Sequence, residues 1–529
     1  MRYAVFALLI VALVVGAALG VAGFWYCWLV AAVAVPFVLI GLYDLRQTRH
    51  SLLRNYPVIA HMRWLFEGIR PEIRQYLIES DADAFPFNRE QRSLVYQRAK
   101  QEVQTVPFGT QQDVYRPEYV YFTHSLAPRH PASFDFRARV GGAACRQPYD
   151  ISLFNVSAMS FGSLSGNAIQ ALNKGAKLGG FAHDTGEGGI SRYHRMHGGD
   201  IIWELGSGYF GCRADDGGFD AAKFEKQAAD PQIKMIEVKL SQGAKPGHGG
   251  VLPASKITPE IVEARGVPMG VDCVSPAAHP AFSTPVEFVH FLQRLRELSG
   301  GKPVGFKLCV GHCHEFMAIV KAMIQEDIYP DFIVVDGSEG GTGAAPVEFT
   351  NSLGMPLREG LHFVNMTLVG AGIRDRIRIG ASGKIISGAD IAMALALGAD
   401  WCNSARGFMF AIGCIQARSC HTNRCPTGVA TQDPVRQRAL VVEDKCVRVA
   451  NFHRNTLAGF GEMLGAMGLD RPGDITVDIL HIRTADPASL LHHRLAPGQL
   501  QRPDCAAPFA LPWAEAQAAS FERVSRAAA

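Results

Sequence analysis

The amino-acid sequence predicts an α/β protein whose main domain is a (β/α)8 barrel of the TIM type, preceded by a transmembrane hairpin of two helices. Three observations lead to this prediction. The stretch from Tyr3 to Tyr43 contains no Asp, Glu, Lys or Arg. From Ile151 onward, short apolar segments alternate with helical stretches, which is the pattern of parallel strands covered on both faces. Glycine-rich polar turns follow most of these segments, at the end of the strands where barrels of this kind hold ligands.

The glycine-rich point from Gly16 to Gly23 divides the charge-free stretch into two predicted helices, Tyr3 to Leu19 and Phe24 to Leu42. Together they have about twice the length that one helix needs to cross a membrane. Arginines flank the hairpin on both sides, at Arg2, Arg46, Arg49 and Arg54. Because positive charge favours the cytoplasmic side, we expect the hairpin in the inner (cytoplasmic) membrane, with the barrel facing the cytoplasm. The alternative is a cleaved signal peptide, but a second apolar segment follows at once.

The composition is that of a folded protein of enzyme size, with 48% hydrophobic and 19% charged residues in a chain of 529. A net charge of +3 predicts no nucleic-acid partner, which would require a concentrated basic surface. The twelve cysteines lack the spacing of a disulfide scaffold. The predicted domains are residues 1–45 for the hairpin, 46–145 for a cap or connector, 146–435 for the barrel and 436–529 for a helical C-terminal extension.

Eight strand candidates can be counted along the barrel region. They are Ser152 to Ala158, Gly180 to Asp184, Ile202 to Gly206, Met235 to Leu240, Val304 to Val310, Phe332 to Asp336, Ile377 to Ala381 and Trp401 to Ala405. Eight such units fit one closed barrel with insertions. A doubly wound sheet usually needs fewer strands and a recognisable nucleotide-binding fingerprint.

The turns after the last two strand candidates are suited to hold a phosphate group. Gly380 to Lys384 and Ser404 to Gly407 offer backbone N–H groups and a helix N-terminus. A flavin mononucleotide (FMN) phosphate fits that position, which predicts a barrel of the FMN-linked type. Lys307, within the fifth strand, can favour the anionic reduced flavin, or it can pair with a buried carboxylate. The residues predicted to bind FMN are Ser160, Gln242, Lys307, Gly341, Gly343, Gly380, Ser382, Gly383, Ser404, Ala405 and Arg406.

A second redox signal follows the last strand candidate. Cys414, Cys420 and Cys425 are closely spaced, and Pro426 comes directly after the third cysteine. Three such cysteines ending in Cys-Pro indicate iron–sulfur ligation, and with no fourth cysteine nearby we expect a three-iron [3Fe-4S] cluster. One alternative is a zinc site with His421 as the fourth ligand, which is awkward because His421 adjoins Cys420. The other is three free cysteines in the core.

Four runs of residues are specific enough to indicate a family. They are Ser157-Ala-Met-Ser-Phe-Gly-Ser163, Thr185-Gly-Glu-Gly-Gly189, Gln242-Gly-Ala-Lys-Pro-Gly247 and Cys414-Ile-Gln-Ala-Arg-Ser-Cys420-His-Thr-Asn-Arg-Cys425-Pro. Together they resemble the FMN-binding domain of glutamate synthase. The resemblance implies an FMN-dependent oxidoreductase acting on CH–NH2 donors. Such an enzyme makes L-glutamate from 2-oxoglutarate, or a close oxo acid, and ammonia through a 2-iminoglutarate intermediate.

The resemblance also implies roles for individual groups. The three-iron cluster would relay electrons to the flavin, and Glu187 and Lys245 would be the catalytic residues around the oxo-acid site. Lys245 can clamp a dicarboxylate, and Glu187 can orient polar groups. Each keeps the alternative of a structural ion pair.

The sequence departs from the family pattern at the predicted substrate site. Where the family has Glu and then Gln after Lys-Pro-Gly, this chain has His248 and Val251, and Ile190-Ser191 replaces an acidic pair. With no amidotransferase domain and no dinucleotide fingerprint, we expect ammonia that is free or supplied by a partner glutaminase, and electrons from ferredoxin or a reductase subunit. Two other functions stay open. One is amine transfer to glutamate as in N-methylglutamate synthase, and the other is a membrane-anchored FMN and iron–sulfur electron-transfer module without oxo-acid turnover.

Overall fold

The computed structural model describes residues 2–82, 84–483 and 490–524. The chain divides into two compact units, one ending at Phe85 and one beginning at Pro86. The sequence predicted boundaries after residues 45, 145 and 435, and these stay predictions. The stretch predicted as a connector, 46–145, is therefore shared between the two units.

The N-terminal unit begins with two long helices that pack on each other. Its helices are Ala4–Val21, Cys27–Arg46, Ser51–Asn55 and His61–Ile73, and a π-helical turn covers Arg74–Ile78. A Cβ atom on Gly16 would lie 3.1 Å from the backbone of Ala31, so small residues allow the close approach of the first two helices. Both are long and apolar enough to cross a membrane, judged by length and composition alone.

The second unit is built around a closed barrel of eight parallel strands, which we number β1 to β8 in chain order. They are β1 Phe154–Val156, β2 His183–Asp184, β3 Ile201–Leu205, β4 Ile233–Lys239, β5 Val304–Leu308, β6 Phe332–Asp336, β7 Arg378–Ser382 and β8 Trp401–Ser404. Each strand pairs with the next in chain order, and β8 pairs with β1. Every predicted strand lies in this barrel, so the predicted fold class is confirmed.

Helices connect the strands and cover the outside of the barrel. Their starts carry side-chain caps: Ser165 accepts a hydrogen bond from the Ala168 N–H group, and Ser387 and Asp390 form a capping box. The α-helices of this unit are Arg89–Lys100, Gly166–Gly179, Arg192–Arg195, Ala221–Ala228, Pro259–Arg265, Pro285–Leu298, Cys313–Glu326, Val347–Ser352, Leu357–Ala371, Gly388–Ala396, Arg406–Ala411, Pro434–Arg438, Val442–Ala466 and Ala507–Glu515. Short 3₁₀ turns cover Ala254–Lys256, Arg374–Arg376, Cys420–Thr422, Pro472–Asp474, Val477–Ile479, Leu490–His492 and Gln499–Gln501.

Three small antiparallel pairs of strands complete the unit. Arg137–Val140 pairs with Tyr149–Ser152, Val251–Leu252 pairs with Cys273–Val274, and Val120–Phe122 pairs with Leu480–Ile482. The last pair joins the predicted connector to the predicted C-terminal extension. The part of the connector that begins at Pro86 therefore belongs to the same unit as the barrel and the C-terminal extension.

The inside of the barrel has an apolar end and a polar end. Near the beginnings of the strands, the pair formed by Arg137–Val140 and Tyr149–Ser152 contributes to a separate apolar cluster. The cluster consists of Val140, Ile151, Ala182, Ile202, Met235, Phe332, Val334 and Trp401. Toward the carboxyl ends of the strands, the inward side chains become polar and charged, which places the candidate site at that end.

Candidate functional site

The polar end of the barrel contains a lysine among three carboxylates. Lys307 on β5 forms an ion pair with Glu204 on β3 and lies 3.4 Å from Glu237 on β4. Carboxylate oxygens of Asp184 on β2, Glu204 and Glu237 lie within 4.8 Å of one another. All four side chains are buried. The lysine ammonium therefore supplies the positive charge that lets these carboxylates lie so close together.

Burial sets the protonation of this cluster. It raises the pKa of Asp184 to about 7, with Glu204 adding to the effect, and it raises the pKa of Glu237 well above its usual range. Burial alone would lower the pKa of Lys307, but the three surrounding carboxylates raise it well above that of an exposed lysine. Lys307 is therefore charged at neutral pH, and bound protons neutralise part of the acidic charge around it.

A chain of ion pairs leads from this cluster to the mouth of the barrel. Lys239, the last residue of β4, lies 3.9 Å from Glu204 and 2.7 Å from Glu187 in the loop after β2. In this structure Lys307 pairs with a buried carboxylate, which is the alternative that the sequence left open beside a flavin contact. Glu187 likewise forms an ion pair, and its partner is Lys239.

A pocket at the mouth brings the predicted catalytic residues together. It has a volume of about 320 Å³ including open solvent, and its lining includes Glu187, Lys239, Gln242, Lys245 and His248. The Lys245 ammonium donates a hydrogen bond of 2.8 Å to the carbonyl of Gly249. His248 Nδ1 donates to the same carbonyl at 2.8 Å. Two ammonium groups and an amide thus face one small space, an arrangement that suits a carboxylate ligand.

The charges in this pocket are fixed by their mutual attraction. Burial by itself would raise the pKa of Glu187, but Lys239 beside it and Lys245 farther away lower that pKa to about 2. Burial lowers the pKa of Lys245, while Glu187 opposes the change. Glu187 is therefore a carboxylate at neutral pH, so it can hold lysines and polar ligands in place but has no proton to give.

A second polar corner, formed by Glu339, Gly341, Lys384 and Arg406 and called the anion corner below, lies where the loops after β6, β7 and β8 meet. Arg406 donates a hydrogen bond to the carbonyl of Glu339, and a Cβ atom on Gly341 would lie 3.2 Å from its guanidinium. Burial lowers the pKa of Arg406 to about 10. Burial also lowers the pKa of Lys384, and the like charge of Arg406 lowers it further. The Glu339 carboxylate opposes both shifts, so the corner already contains an acidic group beside its two cations, which could also hold an anion such as a phosphate group.

The predicted phosphate-binding residues of β7 and β8 take different positions around this corner. A Cβ atom on Gly383 would lie 3.0 Å from Leu357, and Ser404 Oγ donates to the carbonyl of Ile385 at 2.5 Å. Ala405 directly precedes the helix that Arg406 begins. Ser382 shares a hydrogen bond of 3.2 Å with Ser157 across the barrel interior.

Gly380 lies in a strand and not in the phosphate-binding turn that the sequence predicted for it. It lies inside β7, where a Cβ atom would come within 2.7 Å of the Trp401 indole. The strand continues to Ser382, so the turn begins later than the sequence suggested. Gly380 therefore makes room for Trp401 in the apolar end of the barrel.

The loops around the mouth pack tightly through glycines. A Cβ atom on Gly243 would lie 1.7 Å from the carbonyl oxygen of Gly337, so the loops after β4 and β6 touch through their backbones. Gly186 has a positive φ of 63°, and a Cβ atom there would lie 2.7 Å from the backbone nitrogen of Ser160. Ser160 and Gln242 are thus held in the mouth by neighbouring loops rather than by regular structure.

The three cysteines lie on an irregular loop after β8 that is tied down at several points. Tyr96 donates to the carbonyl of Cys414 at 2.7 Å, and Lys256 donates to the carbonyl of Cys420 at 2.7 Å. Gln416, Arg418 and Asn423 all have positive φ angles, of 58°, 55° and 61°. Left-handed residues of this kind collect where surrounding contacts hold the chain in a strained path.

The surroundings of the three thiols differ, and only those of Cys425 favour the thiolate. Burial would raise the pKa of Cys425, but backbone N–H groups of Ala430, Thr427 and Val429 point at its sulfur and lower that pKa. Burial raises the pKa of Cys414 to about 12 and also raises that of Cys420. A bound metal would remove the proton from such thiols, because the ligand is the thiolate.

The spacing of the sulfurs bears on the zinc alternative. Within the described ranges, the one group that brings three metal-ligating atoms within 4.8 Å of one another is Asp184, Glu204 and Glu237. The three cysteine sulfurs are therefore spread more widely than the roughly 3.8 Å between sulfurs on one tetrahedral zinc.

Sequence reasoning missed several residues of the site. Lys239, Glu204 and Glu237 lie inside the barrel, and Lys256 lies beside the cysteine loop. A usable signal existed for the first three, since each is a charged residue within a strand candidate that is otherwise apolar. No comparable signal marks Lys256, whose position depends on the insertion after β4.

A barrel whose mouth joins a lysine-lined pocket, an anion corner and a cysteine loop has the parts of an oxidoreductase. A family model described as "Conserved region in glutamate synthase" matches residues 122–470. The chain belongs to the glutamate synthase family, which confirms the resemblance seen in the sequence.

Curated relatives support the same assignment. "Glutamate synthase large subunit-like protein YerD" of Bacillus subtilis is 38% identical and is matched over 84% of this chain and 93% of its own length. "Archaeal-type glutamate synthase (NADPH)" of Thermotoga neapolitana is 35% identical, over 59% of each chain. Among solved structures, a flavocytochrome b2 mutant with pyruvate bound covers 82% of this chain and 88% of its own. Its TM-score of 0.43 and 12% identity are too low to bear on function.

Proposed function

We propose that this protein is an FMN and iron–sulfur oxidoreductase that makes L-glutamate by reductive amination of 2-oxoglutarate or a close oxo acid. One observation carries the proposal. The loop after β6 contacts both candidate cofactor sites. Gly341 lies against Arg406 of the anion corner, and a Cβ atom on Gly343 would lie 3.1 Å from Cys420 of the cysteine loop. The two candidate cofactor sites are thus joined by three residues of one loop.

FMN fits the anion corner. Arg406 and Lys384 supply positive charge there, and Gly341 and Gly383 keep side chains out of the loops around it. Ser160 and Gln242 lie at the mouth of the barrel, where polar groups can contact a flavin ring. When bound, FMN supplies the hydride that reduces the substrate, and the protein supplies binding and orientation.

The cysteine loop fits a [3Fe-4S] cluster. Cys414, Cys420 and Cys425 would be its ligands, and the N–H groups around Cys425 would support a sulfur that carries negative charge. Such a cluster supplies single-electron transfer from an external donor. Lys256 adds a positive charge beside the loop through its contact with the Cys420 carbonyl.

The pocket beside Glu187 fits an oxo acid with two carboxylates. Lys245 and Lys239 offer ammonium groups, and Glu187 holds Lys239 in place. The imine formed from the oxo acid and ammonia would be 2-iminoglutarate when the substrate is 2-oxoglutarate. His248 engages the Gly249 carbonyl, and Val251 is half-buried in a short strand, so neither replaces the amide that the family has there. We therefore include close relatives of 2-oxoglutarate in the proposal.

The remaining partners follow from the same assignment. The chain spans about 59% of the length of the archaeal-type relatives named as NADPH-dependent. We propose that electrons come from a ferredoxin or a reductase subunit, and that ammonia is free or supplied by a partner glutaminase. Ala4–Val21 and Cys27–Arg46 would anchor the protein in the cytoplasmic membrane, with both ends of the hairpin on the arginine-rich cytoplasmic side.

Anaerobic reoxidation of the reduced protein tests this function. The flavin is first reduced with dithionite, the excess is removed, and 2-oxoglutarate with ammonium is added while the visible spectrum is followed. Rapid return of the oxidised flavin together with L-glutamate formation supports the proposal. Methylamine in place of ammonium tests amine transfer of the N-methylglutamate synthase kind. Reoxidation by an artificial acceptor but by no oxo acid with either amine would contradict the proposed reaction and favour an electron-transfer module.

A further inference from the structure

We propose that the helix His61–Ile73 lies in the headgroup region of the membrane, with its apolar side toward the lipid chains and its arginines toward anionic headgroups. This inference rests on the proposed anchoring of the two long helices in a membrane. The first observation is exposure. No residue of this helix is buried, and Met62, Leu65 and Phe66 are 46%, 55% and 55% exposed. Large apolar side chains are rarely displayed side by side on a surface that only water contacts.

The apolar side chains of this helix are gathered on one side. At about 100° per residue, Met62, Leu65, Phe66, Ile69 and Ile73 fall within an arc of about 100°. Ile69 is 40% exposed, and the following turn continues with Leu77, which is 79% exposed. An apolar stripe on a helix that also carries charged residues is typical of helices that lie along a membrane surface.

Positive charge borders this stripe on one side. On a helical wheel with His61 at 0°, the apolar arc spans about 40° to 140°. Arg70 and Arg63 come next around the helix, at roughly 180° and 200°. Glu72, at about 20° on the same helical wheel, borders the arc on the other side. Arg63 pairs with Glu67 at 2.9 Å, and both side chains are exposed. Arginines at the edge of an apolar stripe can extend to lipid phosphates while their stems stay near the acyl chains. Each basic residue close to an anionic leaflet strengthens this attraction.

The opposite side of the helix contacts the protein. The Trp64 ring lies edge-on to His50, with ring centres 5.4 Å apart, and it also contacts the ring of His61 at 6.1 Å. The contact with His50, which lies outside the helix, turns the Trp64 side of the helix toward the preceding segment. The apolar arc is therefore the side that points away from the segment before the helix.

The start of the helix is fixed at the end of the second candidate membrane span. Asp44, in the last turn of Cys27–Arg46, is fully buried and accepts hydrogen bonds from His61 Nε2 at 2.9 Å and from the Val58 N–H group at 2.8 Å. Val58 also packs on Gly41, one turn earlier in the same span, where a Cβ atom would lie 3.1 Å from its side chain. A span that ends at Arg46 ends at the membrane surface, so these contacts place His61 at the headgroup level.

Two single substitutions in the full-length chain test the orientation. Phe66→Trp places a reporter in the apolar arc, and Glu67→Trp, the matched control, places it about 100° away on the charged side at nearly the same depth along the helix. Each variant is reconstituted in phosphatidylglycerol-containing nanodiscs, and the emission of the unaltered chain, with its six tryptophans, is subtracted. Quenching by acyl-chain-brominated lipid and by aqueous iodide is then measured.

The inference predicts that the reporter in Phe66→Trp is quenched several-fold more by brominated lipid than the reporter in Glu67→Trp, and that iodide gives the reverse order. Equal iodide quenching in both variants would place the helix in water, and shielding of Phe66→Trp from both quenchers would mean that protein covers the arc. Either result overturns the inference. Alkaline carbonate extraction of native membranes separates the two proposals. If the chain stays in the membrane pellet, the proposed membrane anchor stands even when the helix prediction fails. If the chain is extracted, the proposed anchor itself is contradicted.

Discussion

Replacing Lys307 by Met is expected to destabilise the barrel in a pH-dependent way. Its side chain is 4% exposed, and its ammonium lies between Glu204 and Glu237, which are exposed by 2% and 1%. Removing one partner of a buried ion pair leaves the other charge without compensation, at a cost of about 3 to 5 kcal/mol. That is a large part of the roughly 5 to 15 kcal/mol that stabilises a typical folded protein.

The sign of the pH dependence follows from proton binding. Without Lys307, the buried carboxylates keep their protons to a higher pH than they do in the unfolded chain. The native state of the variant then binds more protons than that of the unaltered chain, so the loss of stability that the substitution causes grows as the pH rises from about 5 to 8. Buried histidines act in the opposite sense in both chains, because burial lowers the pKa values of His183, His194, His279, His362 and His453. These contributions cancel when the variant is compared with the unaltered chain, so the prediction concerns that difference.

Denaturant unfolding at several pH values between about 5.5 and 7.5 measures this effect. Lys302→Met is the matched control, since Lys302 is also buried but donates to the carbonyls of Ala228 and Asp230, which do not titrate. Burial lowers the pKa of Lys302 to about 8, which is above the range tested. The destabilisation caused by Lys307→Met should grow with pH, while that caused by Lys302→Met should stay constant. Parallel behaviour of the two variants would refute the assignment of Lys307 as the counter-charge of the carboxylates.

Three further variants test the mouth of the barrel. Cys420→Ala should lose the bound iron. Cys446→Ala, the control, changes a buried cysteine of the helix Val442–Ala466 and should keep it. Equal iron contents in the two variants would argue against Cys420 as a ligand. Lys245→Met should lower kcat/KM for the oxo acid by about 10- to 100-fold, the size expected for one lost charged hydrogen bond, with flavin content unchanged. An unaltered kcat/KM would exclude Lys245 from substrate binding. Gly243→Ala should separate the loops after β4 and β6, because the added methyl group would lie 1.7 Å from the Gly337 carbonyl oxygen. The measurement is the flavin-to-protein ratio after purification, and full occupancy would show that this contact does not shape the cofactor site.

The barrel was predictable because its strands are buried on both faces. Phe332–Asp336 is an apolar run with turns on both sides, and the structure gives it the same bounds as the sequence. The strand predicted over Gly180 to Asp184 is shorter, covering His183–Asp184, because the positive φ of Gly180 ends the preceding helix. The pairing of Val120–Phe122 with Leu480–Ile482 joins distant parts of the chain and has no local signal.

The candidate site was predictable in its loops and less so in its charge pairs. The cysteine run and the glycine turns are contiguous in sequence, so their chemistry can be read locally. The partner of Glu187 depends on which strand lies beside the loop after β2, and that neighbour is fixed only when the barrel closes. For the same reason, the register that places Lys307 opposite Lys239 could not be derived from either strand alone.

The central claim is that one barrel mouth holds both a flavin and a cysteine-bound iron–sulfur cluster. Cofactor analysis of the full-length protein, purified without oxygen, tests it most directly through the visible spectrum, acid-released flavin, iron content and electron paramagnetic resonance. We predict FMN in equal amount to the chain, about three irons per chain and the signal of an oxidised three-iron cluster. A colourless protein without flavin or iron would contradict the claim.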